Sequence, residues 1–356
     1  MKETVKILYL YSELGHYQIP IFQTLVKEYS AQISVVHWDS ELIRYSPAAV
    51  EGVKYYKRSA FNRSDLFSFV ADFQPSLVYT SGWMDRDYLA VCRWLKKNNT
   101  NCKIVAGCDT PWRGSFRQNI ARLISRFYLR RCFTHIWVAG PLQFEYAKRL
   151  GFGNSQIIFD CLTANTNLFL NEHRKKNGLL NLDGKKFLYV GRFSEEKGVQ
   201  ILLEAFSKLE RELKHDWKLV LVGQQEHDKI KVVASEKIIV KPFLPAEQII
   251  EIANGCSVFI LPSISESWGL VLHEFAALGL PLLTSDICGA NFTFLIPGYN
   301  GLKFKNGDME DLADKLKKFV ELSDLELNRM GQNSEKISRR ISVDTTVGNL
   351  VSVLVN

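Results

Sequence analysis

The chain has 356 residues, 46% hydrophobic and 23% charged, a balance that excludes a disordered or fibrous protein and supplies apolar material for two cores. Its net charge of +7 is uneven: residues 1–165 hold 21 Lys and Arg against 13 Asp and Glu, whereas residues 166–356 hold 24 against 25. The basic first half either attracts an anionic partner (nucleic acid, membrane surface or acidic substrate) or serves solubility alone. No run approaches the roughly 18 apolar residues of a membrane span, and the opening Met1-Lys2-Glu3-Thr4 lacks a signal-peptide apolar region, so a cytosolic location is expected. The seven cysteines form no C-x-x-C and no Cys/His cluster, so reduced thiols and no zinc site are expected.

Short apolar runs alternate with longer segments of helical period, the pattern of a parallel sheet of β-α units. Strands are predicted near 5–10, 32–38, 76–81, 102–106, 134–138 and 156–159, then near 187–191, 218–222, 237–240, 256–261, 281–284 and 302–304. These two sets fit two doubly wound α/β domains, 1–165 and 166–340, with the polar stretch Thr163 to Lys186 as linker. Residues 340–354 have the pattern of a final amphipathic helix. In open sheets of this kind ligands bind at the carboxyl ends of the strands.

A dinucleotide fingerprint is excluded because Gly151-Phe152-Gly153 precedes a strand and has Gln156 where the third glycine belongs. No P-loop motif occurs either. Instead, Gly191-Arg192-Phe193-Ser194-Glu195-Glu196-Lys197-Gly198 runs from a strand into a helix and places Arg192 and Lys197 where a helix N-terminus already favours an anion. A forked guanidinium and a point ammonium suit two adjacent phosphates; the alternative is surface pairing with Glu195 and Glu196. Further on, strand 256–261 ends at Pro262, and Glu266 and Glu274 bracket the start of an apolar helix that stops at Gly279-Leu280-Pro281. Two ionised carboxylates there can accept hydrogen bonds from vicinal sugar hydroxyls. His273, beside Glu274, is read as structural. A third segment, Thr284 to Asn291, is a small-residue turn whose amides can face a phosphate, or an ordinary loop.

In this order the motifs resemble the retaining nucleotide-sugar glycosyltransferases of family 4, which have the GT-B fold of two facing Rossmann-like domains with a deep cleft between them. The resemblance covers nearly the whole second half: V-G-R-F-S-x-E-K-G at 190–198, L-V-G at 221–223, the Glu266/Glu274 pair, G-x-P at 279–281, and Asn300-Gly301-Leu302 before Gly307-Asp308. In the first half it is limited to Gly15-His16 after the first strand and to the segment from Ile157 to Phe169. It implies that Gly191, Arg192 and Lys197 hold the donor's diphosphate, Glu274 the ribose and Glu266 the donor sugar. The amides of Gly269, Leu270, Gly289 and Ala290 complete the cradle, with Gly15 and His16 touching donor or acceptor. Two cations and oriented amides can stabilise a departing nucleoside diphosphate without a metal, and no D-x-D in the first half reads as a metal site, so no metal and no cofactor are expected. Retention by front-face attack needs no enzymic nucleophile. Where many members carry a histidine this chain has Cys108-Asp109-Thr110, leaving Asp109 as a sugar contact, a base or a helix cap. The loop after Gly223 also departs, reading Gln224-Gln225. By resemblance, residues 341–356 pack back onto the first domain.

The resemblance implies that the first domain receives a glycan or lipid-linked acceptor. There, Arg122, Arg126 and Arg130 recur every fourth residue in a segment without acids, while Ile120, Ile124, Phe127 and Tyr128 crowd another face. Such a helix binds an anionic membrane surface, placing the protein at the inner face of the plasma membrane, or packs into the core with a solvated basic face. No basic-aromatic signature accompanies it, so nucleic acid is not expected. The rival functions are another sugar-processing GT-B enzyme, such as a nucleotide-sugar epimerase or phosphorylase, and a catalytically silent nucleotide-sugar-binding subunit.

Overall fold

A computed structural model describes residues 4–39, 50–175, 185–224, 230, 232 and 235–355, without the side chains of 126 and 173–175. The chain divides into two compact units, Met1–Thr163 with Ile341–Asn356, and Ala164–Arg340.

Unit 1 is built on a parallel sheet of β1 (Lys6–Tyr11), β2 (Gln32–His37), β3 (Val53–Lys57), β4 (Leu77–Thr80), β5 (Lys103–Cys108), β6 (His135–Val138) and β7 (Ile157–Ile158), in the order β3-β2-β1-β4-β5-β6-β7. β1 pairs from Lys6↔Gln32 to Tyr11↔His37 on one side and from Ile7↔Leu77 to Leu10↔Thr80 on the other. The run Ile7 to Tyr11 of β1 is buried along its length, as helices on both faces require. β3 has no counterpart among the predicted strands. As the sheet's edge it is half solvated, and Lys54 and Lys57 interrupt the apolar pattern that marks a central strand. Helices begin where short polar side chains cap them: Asn62 accepts from the Asp65 amide and Asp85 from the amides of Asp87 and Tyr88.

Unit 2 holds β8 (Lys186–Val190), β9 (Lys218–Val222), β10 (Ile238–Lys241), β11 (Val258–Leu261), β12 (Leu282–Ser285) and β13 (Gly301–Phe304), all parallel, in the order β10-β9-β8-β11-β12-β13. The expected linker is corrected in its first part. Residues Thr166–Lys175 form a helix that packs against the helix Leu270–Ala277, with Phe169 edge-on to Phe275, so this stretch belongs to the core of unit 2. The rest of the predicted linker, residues 176–184, and Gln225 lie outside the described residues.

The chain re-enters unit 1 at Ile341, and the helix Val343–Ser352 lies against the helix Gln18–Tyr29 with Val343, Thr346, Val347 and Leu350 buried. Asn349 donates from Nδ2 to the Phe159 carbonyl and to Asp160 Oδ2, both at 3.1 Å, fastening this helix to the segment after β7. Asp160 sits in the left-handed region at φ 65°, and burial raises its carboxyl pKa, against the lowering effect of the Asn349 bond. A raised folded pKa means that ionisation costs stability: the loss begins as pH rises through the ordinary carboxylate value and is complete above the raised one. Asparagine keeps an acceptor for Asn349 and tolerates this backbone. Asp160→Asn is therefore expected to melt at or above the wild-type temperature at pH 7, with the difference shrinking towards about pH 3; thermal melts across that range check it.

Candidate functional site

Strand order in unit 2 reverses between β8 and β11. At such a reversal the connections leave toward opposite faces of the sheet and open a crevice at the strands' carboxyl ends. Both second-half motifs hang from these two strands.

The loop after β8 is held from beneath and from the side. The buried Tyr189 hydroxyl donates to the Arg192 carbonyl at 2.6 Å, and the Phe193 amide donates to Gln224 O at 2.8 Å. A turn at Glu195–Lys197 follows, and Gly198, at φ +67°, leads into the helix Val199–Glu212. A Cβ at Gly198 would lie 2.0 Å from the Pro262 carbonyl oxygen, so only glycine lets the loops after β8 and β11 press together. The amides of Ile264 and Ser265 donate to Glu196 O at 2.8 and 3.1 Å and lock that contact.

This stitching brings together two residues 69 positions apart. Lys197 Nζ donates to Glu266 Oε2 at 2.8 Å, with the two side chains only 20% and 12% exposed. Buried Ser263 donates from Oγ to the same carboxylate oxygen at 3.2 Å, and Ser285 Oγ in turn donates to Ser263 O at 2.6 Å. Arg192 pairs with Glu196, and both are about half exposed. Surface pairing, weighed for both cations, thus describes Arg192, whereas Lys197 reaches across to Glu266.

Glu274 lies half-buried on the helix Leu270–Ala277, which starts at Gly269 in the left-handed region, φ +93°. A Cβ there would meet Cys288 Sγ at 2.8 Å. Cys288 donates to Trp268 O, and burial pushes its thiol up to about 12, which removes it as a nucleophile at neutral pH. The expected role of the Ala290 amide needs correction. It donates to Trp268 O at 2.9 Å, closing the turn after β12 onto the turn before the Leu270–Ala277 helix, and so is already engaged. Gly289 is buried in the same turn. His273 is structural: Nδ1 accepts from the Ala164 amide at 3.2 Å, Nε2 faces Ser338 O at 2.9 Å, and the ring stacks on Phe294. These partners fit the tautomer protonated at Nε2 and tie the two ends of unit 2 together.

The corresponding reversal in unit 1 lies between β1 and β4. Gly15 follows β1, its amide donating to Gln18 Oε1 at 2.6 Å, and exposed His16 stands edge-on to Tyr17. Gln18 Nε2 donates to the Tyr11 hydroxyl, which lies 3.5 Å from that of Tyr17. Burial raises the pKa of Tyr11, Tyr17 and Tyr79, so these phenols stay protonated under the strand ends. Sequence reasoning missed this cluster because Tyr11 and Tyr79, on β1 and β4, read as core and Tyr17 as the start of a helix. Asp109 is exposed at the end of β5, its carbonyl accepting from Gln143 and its carboxylate from Thr110 Oγ1. It caps no helix: the next helix, Phe116–Tyr128, is capped by Ser115.

That helix corrects the expected arginine stripe. It ends at Tyr128, so Arg130 falls in the tighter turn Leu129–Arg131; Arg122 is exposed, and the side chain of Arg126 lies outside the described residues. Among the described residues no group of three His, Cys, Asp or Glu is placed to hold a metal ion, and no helix is long and apolar enough to cross a membrane.

Residues 171–337 match the family model described as Glycosyl transferases group 1. The capsular polysaccharide biosynthesis glycosyltransferase CapM of Staphylococcus aureus is 28% identical over 52% of this chain and 49% of its own length. The lipopolysaccharide glucosyltransferase WaaG of Escherichia coli is 32% identical over 33% of this chain and 32% of its own. The chain spans about half or less of the length of the curated relatives it matches. Over 99% of both chains it superposes on Anabaena HepE, solved with UDP and glucose, at TM-score 0.71 and 15% identity. The chain thus has two Rossmann-like parallel-sheet units, the fold of the GT-B glycosyltransferases, and the greater part of its second unit matches the group 1 glycosyl transferases.

Proposed function

We propose that this protein is a retaining glycosyltransferase that moves a sugar from a UDP- or GDP-sugar to a hydroxyl of a glycan or lipid-linked acceptor, independently of a metal. The observation that carries the proposal is the Lys197–Glu266 pair at the strand-order reversal of unit 2. It holds an ammonium for the donor's phosphates beside a carboxylate for the donor sugar. Arg192 supplies the second cation by exchanging Glu196 for a phosphate. Glu274 holds the ribose, and the amides of Gly269, Leu270 and Gly289 line the phosphate path beside Gly191, leaving Ala290 to shape the wall. As the sugar leaves, charge grows on a phosphate oxygen, and preoriented cations stabilise it in a partly dry site. That same oxygen takes the acceptor's proton, so no enzymic nucleophile is required. Unit 1 supplies the acceptor side through His16 and Asp109, the latter as a sugar contact.

The relatives CapM and WaaG point to polysaccharide or lipopolysaccharide assembly, and the UDP complex of HepE to a nucleoside-diphosphate donor. We place the reaction in the cytoplasm, where nucleotide sugars are the donors. The test is a thermal-shift titration of the purified chain with UDP, GDP, ADP, CMP and their sugar conjugates, with and without EDTA. One diphosphate is expected to raise the melting temperature, with EDTA making no difference and Lys197→Ala abolishing the shift. An EDTA-sensitive shift would overturn metal independence, and no shift with any donor would leave a scaffold subunit with inherited, silent motifs as the better account.

A further inference from the structure

The helix Phe116–Tyr128 is attached to unit 1 by its polar side. Gln118 is buried and donates from Nε2 to Pro111 O at 2.7 Å, Ser125 is buried and donates to Leu150 O at 3.1 Å, and Leu129 follows beneath. At helical spacing the opposite side carries Phe116, Ile120, Leu123, Ile124 and Phe127, and this side faces solvent: Phe116 is 80% exposed, Leu123 69%, Ile124 57% and Phe127 69%. Packing of the apolar face into the core is therefore excluded. Arginines flank the ridge on both sides, Arg117 on one and Arg122 on the other, with Arg130 and Arg131 beyond its end, all exposed. No acidic residue occurs between Asp109 and Glu145.

We propose that this ridge docks on a bilayer containing anionic lipid, with Phe116, Leu123, Ile124 and Phe127 entering the acyl boundary and the flanking arginines meeting the headgroups. An exposed apolar ridge edged by cations and free of acids is complementary to a negatively charged interface with a soft apolar layer behind it. Isolated exposed leucines such as Leu325, 80% exposed in unit 2, have no such surroundings and need no partner. The inference goes beyond the proposed reaction and does not rest on it.

Co-sedimentation of the full chain with vesicles of phosphatidylcholine, alone or with an equal part of phosphatidylglycerol, tests it. Binding is expected only to the anionic vesicles and is expected to weaken as salt is raised. The triple variant Phe116→Ser, Leu123→Ser, Phe127→Ser is expected to lose on the order of tenfold or more in partitioning with its melting temperature unchanged, because the three side chains face water. Phe116→Ser alone serves if the triple variant melts early. Arg117→Gln with Arg122→Gln is expected to weaken binding to anionic vesicles, and Leu325→Ser to change nothing. Absence of binding to anionic vesicles overturns the proposal, as does binding that survives the triple variant. A wild-type dimer that the triple variant turns into a monomer also overturns it, since a second copy would then cover the ridge.

Discussion

Ending the chain after Arg340 is expected to abolish the cooperative unfolding of unit 1 while leaving that of unit 2. The lost segment carries Ile341, Val343, Val347, Leu350 and Val353, none more than 3% exposed. At about 1.5–3 kcal/mol for each fully buried aliphatic side chain, their loss rivals the entire stability of a domain, about 5–15 kcal/mol. It also exposes the helix Gln18–Tyr29 and unfastens the segment Phe159–Asp160. Calorimetry should show one transition gone and one retained, and an unchanged melting profile would sink the expectation. Leu350→Ala, milder and confined to one side chain, is expected to cost about 2–5 kcal/mol in unit 1.

The second large effect concerns the donor site and follows from the proposed reaction. Lys197→Ala is expected to lower kcat/KM by about 10²–10³ and to weaken nucleoside diphosphate binding, since its charge meets the phosphates. Glu266→Ala is expected to lower turnover comparably yet to leave diphosphate binding intact or tighter. Removing the carboxylate that Lys197 now pairs with at 2.8 Å leaves the ammonium free for phosphate. Because the two residues share one contact, the double variant should lose less than the two single losses combined. Equal loss of diphosphate affinity in both single variants would mean that the pair only props the loops, and the division of roles would fail.

The two α/β units are legible in the amino-acid pattern, because strands buried on both faces read as unbroken apolar runs whatever lies beside them. The spacing of Glu266 and Glu274 is likewise local, being set by one strand-to-helix turn, and Gly198 and Gly269 read as turn glycines, although what forbids a side chain at each, Pro262 O and Cys288 Sγ, comes from loops distant in sequence. The half-solvated β3 and the helix Thr166–Lys175 escaped because edge position and packing partner override a polar local pattern. Three features are not local: Lys197 meets Glu266, the Ala290 amide is engaged by Trp268, and the apolar ridge of Phe116–Tyr128 faces water. The first two depend on strand order, which brings loops far apart in sequence to the same end of the sheet. The third depends on the helix being held by Gln118 and Ser125, since hydrophobic period tells that a helix has two faces while the hydrogen bonds to its neighbours choose which one turns inward.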